Sequence, residues 1–173
     1  NTSIDMYKME NGTYTLTTVA VEVPLVIKQI QASLAWLVQQ KRLTWEVISY
    51  ARERAEALSV LGENLLVYSL LANLLKNAAG ASPPGGTVTI SLNGEESVVI
   101  AIHNLGAIPE SIRGRFFHKF VPSSKQGGSG LGAYSAKIIT TTLGGRIDFE
   151  TSEEAGTTIT VQLPRASHDP SWA

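Results

Sequence analysis

The stretch ENLLVYSLLANLLKNAA (63–79) decides how the rest of the chain is read. Leu66, Leu70, Asn73 and Asn77 recur at steps of three or four residues, which places them on one line along a helix. The breaker cluster ASPPGG (81–86) stops that helix. Two leucines are thus continued by two asparagines on a face that packs inward. A buried amide needs hydrogen-bond partners, or it costs about 1–3 kcal/mol. Two readings are open here. The amides cap neighbouring strands or loops, or they face a polar ligand or its metal, for which an Asn oxygen suits a hard cation such as Mg²⁺.

Before this helix, NTSIDMYKMENG (1–12) reads as the tail of a helix already under way, with Ile4, Met6, Tyr7 and Met9 as its larger apolar positions and Asn11-Gly12 as its stop. The chain is therefore expected to be a piece of a longer protein. TYTLTTVAVEV (13–23), rich in Thr and Val, reads as a strand. Pro24 opens a helix in which Val26, Ile27, Ile30, Leu34, Leu37 and Val38 keep helical spacing to Gln40. LTWEVIS (43–49) and LSVLG (58–62) are expected strands, with an ambiguous polar stretch from Tyr50 between them.

After it come TVTISLNG and SVVIAIHNLG, two β-rich runs whose linking Asn93-Gly94 signals a hairpin. PESIRGRFFHKF (109–120) reads as a short helix, and PSSKQGGSG leads into a helix over 131–143. GRIDFETS and TTITVQLP are the last strands, flanking the turn EEAG, and RASHDPSWA is a loose tail. The pattern is α+β in one domain.

Composition closes several routes. Of 173 residues, 43% are hydrophobic and 17% charged, enough for a core and against wholesale disorder. A net charge of -1 gives no basic footprint for nucleic acid or a membrane surface. With no cysteine, there is no disulfide, thiolate metal site or Cys nucleophile. His103, His118 and His168 lie far apart, which disfavours a histidine metal cluster. No apolar run approaches the ~18 residues that span a bilayer.

Three further segments carry chemical content. GGSGLG (127–132) opens a helix, where small residues admit an anion and the helix end offers free N–H groups, with Lys125 just upstream. It matches neither the dinucleotide fingerprint nor the P-loop. IHNLGAIPESI (102–112) runs from a strand through a Gly-containing bend, where Asn104 and Gly106 bring a polar side chain and bare backbone against a flat ligand or simply make a turn. AGTTITVQLP (155–164) places Thr157 early in a strand.

In this order and spacing, the segments resemble the ATP-binding catalytic domain of sensor histidine kinases, within the superfamily that includes DNA gyrase and the mismatch-repair ATPases. NLLKNA (73–78) resembles the N box, HNLGAIP (103–109) the first glycine box, FFHKF (116–120) the F box and GGSGLG the second glycine box, and the resemblance covers roughly 14–164. It implies a two-layer α/β sandwich of Bergerat type, with a mixed, mostly antiparallel sheet and three helices on one face. It implies ATP and Mg²⁺ as ligands. Asn77 would coordinate the metal and Asn73 would support it; Asn104, Gly106 and Thr157 would form the adenine side. Lys125, Gly128, Gly130, Leu131 and Gly132 would meet the phosphates, and 120–130 would be the lid, with Phe117 and Phe120 anchoring it.

The same resemblance divides the chain into the end of a dimerisation helix (1–12), the catalytic domain (13–165) and a flexible tail (166–173). None of the three histidines lies in a phosphoacceptor motif, so the acceptor histidine is expected upstream of residue 1, on the dimerisation domain, with relay to an aspartate of a response-regulator receiver domain. The partners are thus proteins rather than nucleic acid, without direct membrane contact by this segment, in the cytoplasm. Two departures bear on affinity. Asn104 stands where the family has Asp, and Gly80 and Ala81 stand where it often has Lys and an aromatic. A neutral rather than charged hydrogen bond lowers affinity by about fivefold to tenfold. A degenerate, non-catalytic docking or sensing module and a hydrolytic ATPase are the competing readings.

Overall fold

The computed structural model describes residues 2–50, 58–121 and 130–166. In chain order the elements are α1 (Thr2–Glu10), β1 (Val19–Glu22), α2 (Val23–Ser33), α3 (Ala35–Lys41), β2 (Thr44–Ser49), β3 (Ser59–Gly62), α4 (Asn64–Ala81), β4 (Thr87–Gly94), β5 (Ser97–Asn104), α5 (Gly132–Thr142), β6 (Arg146–Ser152) and β7 (Gly156–Pro164). A 3₁₀ turn covers Glu110–Arg115 between β5 and α5.

Alternation builds the sheet. Val88, Ile90 and Leu92 of β4 and Val98, Ile100 and Ile102 of β5 are all buried, while the residues between them are half-buried, many of them Thr or Ser. Ile159, Val161 and Leu163 continue that apolar face into β7. The five strands run in the order β2-β4-β5-β7-β6, with β2 parallel to β4 and every other pair antiparallel. β1 and β3 form a separate antiparallel pair. Helices α2, α4 and α5 cover the apolar face, with α4 packed between the other two. On α4, Leu70, Leu71, Leu74 and Leu75 have no exposed surface. Each such side chain contributes about 1.5–3 kcal/mol relative to an exposed position. This is the expected two-layer α/β sandwich.

Several boundaries differ from the sequence reading. The strand expected over 13–23 is confined to β1, because the Glu63 carboxylate takes the Thr17 backbone N–H (2.8 Å) and the Tyr14 hydroxyl (2.7 Å), holding that segment out of a ladder. The helix expected over 24–40 breaks at Leu34 into α2 and α3. Beside the break, the Ser33 hydroxyl donates to the Ile30 carbonyl (2.8 Å), a local bond that competes with the helix ladder. Asn93-Gly94 is not the hairpin turn: both residues pair, with Val99 and Val98, and the reversal falls after them. The helix expected over 109–120 reduces to the 3₁₀ turn, beyond which Phe116, Phe117 and Phe149 pack edge to face at centroid distances of 5.1–5.8 Å. Arg165 and Ala166, expected in the tail, are held to β3 by a bridge from Arg165 to Val60 and by the Ala166 N–H to the Ser59 carbonyl (2.9 Å).

Candidate nucleotide site

The inward line on α4 passes from buried Leu66 and Leu70 to half-buried Asn73 and Asn77. Both asparagines meet the start of α5. A Cβ on Gly132 would lie 3.6 Å from Asn77 Oδ1 and 3.7 Å from Asn73 Oδ1. The first-turn N–H groups of α5 have no side-chain cap, and Leu131 stands at the cap position. Two amide oxygens and a bare helix N-terminus therefore converge at one point. Asn77 Nδ2 is buried with no hydrogen-bond partner. An orphan donor of this kind carries a desolvation cost of about 1–3 kcal/mol that a polar ligand would offset. The capping explanation for Asn77 leaves that donor unaccounted for.

The second cluster sits where β5 ends. Asn104 is 4% exposed, and its Nδ2 donates to the Leu105 carbonyl at 2.8 Å. Gly106 adopts φ 107, a conformation L side chains rarely take, and an added Cβ would lie 3.0 Å from the Ala81 carbonyl oxygen. The bend thus rests on the C-terminal end of α4. Thr157, 5% exposed, pairs with Asn104 across β5 and β7, and its hydroxyl donates to the Gly106 carbonyl at 2.8 Å. Asn104, Gly106 and Thr157 thus lie together at this bend. Thr151 was not anticipated: it pairs with Thr157 across β6 and β7, lies 2.9 Å from its hydroxyl, and accepts from the Ile108 N–H at 2.9 Å. The sequence signal for it was the hairpin turn EEAG, which sets 151 opposite 157.

Lys41 is another addition. From the end of α3 its Nζ donates to the carbonyls of Ala79 (2.9 Å) and Gly80 (2.7 Å), capping α4 beside the Gly106 bend. Partial burial pulls its pKa below the usual lysine value. Lys41 therefore places a cation over Gly80, a position with no side chain of its own.

Gly130 has φ 69, and a Cβ there would lie 2.8 Å from the Phe120 carbonyl carbon, so residues 130 and 120 abut. Lys125 and Gly128 lie outside the described residues. Phe117 packs inward with Phe116 and Phe149, whereas Phe120 is 68% exposed with φ 61 and does not anchor anything by burial. His118 is exposed, and His103 Nε2 bonds the Ala155 carbonyl at 2.7 Å, a structural contact. Among the described residues, no group of three or more His, Asp or Glu is placed to hold a metal. No described helix is long and apolar enough to cross a membrane.

Next to the convergence point, Tyr134 in the first turn of α5 donates its hydroxyl to Glu10, at the end of α1, and Lys119 Nζ reaches the same carboxylate at 3.0 Å. The Tyr134 phenol is pushed up to about 12 by that bond, and the Glu10 carboxyl is held below its usual value by Tyr134 first and Lys119 second.

Comparison with known proteins follows the same lines. Residues 62–167 match the family described as histidine kinase-, DNA gyrase B- and HSP90-like ATPase. The heme sensor protein HssS of Staphylococcus aureus (strain JH9) is 35% identical over 116 residues, covering 65% of this chain and 25% of HssS, so the chain spans a quarter of that relative's length. The mycobacterial sensor histidine kinase MprB superposes with a TM-score of 0.70 at 26% identity, covering 88% of this chain and 100% of that one. The histidine kinase ThkA, solved in complex with the response regulator protein TrrA, superposes with a TM-score of 0.71 at 19% identity, covering 95% of this chain and 47% of that one. The chain belongs to the histidine kinase-, DNA gyrase B- and HSP90-like ATPases and has the fold of a histidine kinase catalytic domain.

Proposed function

We propose that this chain is the catalytic domain of a two-component sensor histidine kinase, passing the γ-phosphoryl group of ATP to a histidine upstream of residue 1 for relay to a response-regulator aspartate. The observation that carries this reading is the buried, unpartnered Asn77 Nδ2 beside the α5 N-terminus. When bound, Mg·ATP supplies the transferable phosphoryl group, with the cation spreading its charge.

The residues divide the remaining work. Asn77 and Asn73 hold the metal and phosphate end; Gly130, Leu131 and Gly132, with Lys125 and Gly128, meet the phosphates through backbone N–H groups and one ammonium. Asn104, Gly106 and Thr157 receive the base. Asn73 has no basic carboxylate to activate water, and a neutral imidazole, with an ordinary pKa of about 6.5, needs none. That chemistry favours transfer to histidine over hydrolysis. Residues 1–12 are the end of the dimerisation helix, 13–165 the catalytic domain and 166–173 its tail, all cytoplasmic in the parent protein. The partners are the phosphoacceptor domain of that protein and a receiver domain, a pairing supported by the ThkA complex with TrrA.

Calorimetric titration with a non-hydrolysable ATP analogue and Mg²⁺ tests this. Binding with a Kd of about 1–100 µM, −8.2 to −5.5 kcal/mol, is expected, and Asn77→Ala should abolish it while far-UV dichroism stays unchanged. The second reading, a non-catalytic module, is motivated by neutral Asn104 and by Gly80. A folded chain that ignores Mg·ATP up to millimolar concentration would favour it.

A further inference from the structure

Lys119 has its backbone beside one element and its charge on another. The next residue, Phe120, abuts Gly130, where a Cβ would lie 2.8 Å from the Phe120 carbonyl carbon. The Lys119 stem is therefore rooted beside the glycine-rich run that opens α5. Its head instead reaches α1, where Nζ meets Glu10 Oε1 at 3.0 Å. There the ammonium stands 5.3 Å from the centre of the Tyr134 ring, in the first turn of α5. Tyr134 gives its hydroxyl proton to that same Glu10 oxygen. Between α1 and α5 lies an open cleft of about 430 Å³, lined by Glu10, Lys119 and Tyr134 together with Leu131, the cap residue of α5. The cleft thus runs from the Glu10 carboxylate to the helix end whose first-turn N–H groups have no side-chain cap.

We propose that Lys119 serves two anions in turn, the Glu10 carboxylate and the phosphates of a bound nucleotide, so that nucleotide binding and the hold on α1 oppose each other. This rests on the nucleotide reading above, which brings a polyphosphate to the N-terminus of α5. The ammonium is a compact charge on a flexible four-carbon stem, and the cleft gives that stem room to turn. Its pair with Glu10 is easily displaced: the two side chains are 47% and 23% exposed, a setting in which an ion pair contributes a factor of about five at most. A triphosphate offers several negative charges where Glu10 offers one. Glu10 is not stranded by the exchange, because it keeps the Tyr134 hydroxyl. The coupling is reciprocal: the factor by which Glu10 weakens the nucleotide is the factor by which the nucleotide weakens the Lys119 hold on α1.

The test is a double-mutant cycle read by calorimetry, with a non-hydrolysable ATP analogue and Mg²⁺ titrated into the intact chain, Glu10→Gln, Lys119→Met and the chain carrying both. Glu10→Gln releases the ammonium while keeping an oxygen for Tyr134, and should tighten binding about twofold to threefold. Lys119→Met should weaken it about threefold to tenfold, and Lys119→Arg, which keeps the charge, should recover most of that loss. Adding Glu10→Gln to Lys119→Met should change nothing further. If Glu10→Gln tightens binding equally with and without Lys119, the carboxylate acts by repulsion alone, and the inference is overturned. An unchanged affinity in either single variant overturns it too, and both outcomes leave the nucleotide site standing. If the unsubstituted chain does not bind the analogue, the nucleotide reading itself fails, and this inference with it.

Discussion

Glu63 illustrates how one side chain organises residues far from it. Its carboxylate accepts from the Tyr14 hydroxyl and the Thr17 N–H, joining the segment before β1 to the start of α4. That bond raises the Tyr14 phenol to about 12, with burial adding to the effect. Because the folded value lies above the ordinary 10.0, the contribution is complete below pH 10 and lost as the pH rises through about 12. Urea unfolding of Tyr14→Phe against the parent chain should therefore show a deficit of about 1 kcal/mol at pH 8, shrinking toward zero between pH 10 and 12. A deficit that persists unchanged at pH 12 would assign it to packing. At this scale, the sequence displays residues that belong to local motifs, such as Asn73, Asn77 and Asn104. It hides partners that only tertiary folding brings together: Tyr14 and Glu63 are 49 positions apart, and Lys41 lies 38 from the Ala79 carbonyl it caps.

Elements are legible where one periodicity dominates. The α4 stripe and the alternation of β4, β5 and β7 follow directly from apolar spacing. Boundaries fail where a side chain intervenes, as Ser33 does at the end of α2 and Glu63 before β1. The end of α4 shows what such intervention accomplishes. Its last carbonyls would face the bend without donors, and Lys41 from α3 supplies both charge and hydrogen bonds there. Lys41→Met should lower the thermal midpoint, at a cost of about 1 kcal/mol, and Lys41→Arg should recover part of it. Equal midpoints for all three chains would mean that solvent satisfies those carbonyls equally well.

For the molecule as a whole, the order of motifs predicts a two-layer sandwich, and the structure has it; the start of α5 lies against Asn73 and Asn77 of α4. How α1 joins the body is not legible, because alongside Met9 packing and the Lys119–Glu10 pair it uses two carboxylate–phenol pairs that no pattern marks. Glu10 at the end of α1 meets Tyr134 on α5, and Tyr14, just beyond, meets Glu63 at the start of α4. Between them, the Thr13 N–H bonds the Lys8 carbonyl at 2.8 Å, tying the two pins into one piece. A rod held at one point swivels; held at two, it has a bearing. With Met9 packed against the core and Lys119 also on Glu10, the two pins add to that hold, so losing either one is expected to loosen α1 while the core stays intact. The chain has no cysteine of its own, so a fluorophore on Ser3→Cys reports α1 alone. Its anisotropy decay should gain a fast component in Tyr14→Phe and in Tyr134→Phe separately, and a larger one when the two are combined; a slow decay retained in both single variants would mean that α1 is held without the pins.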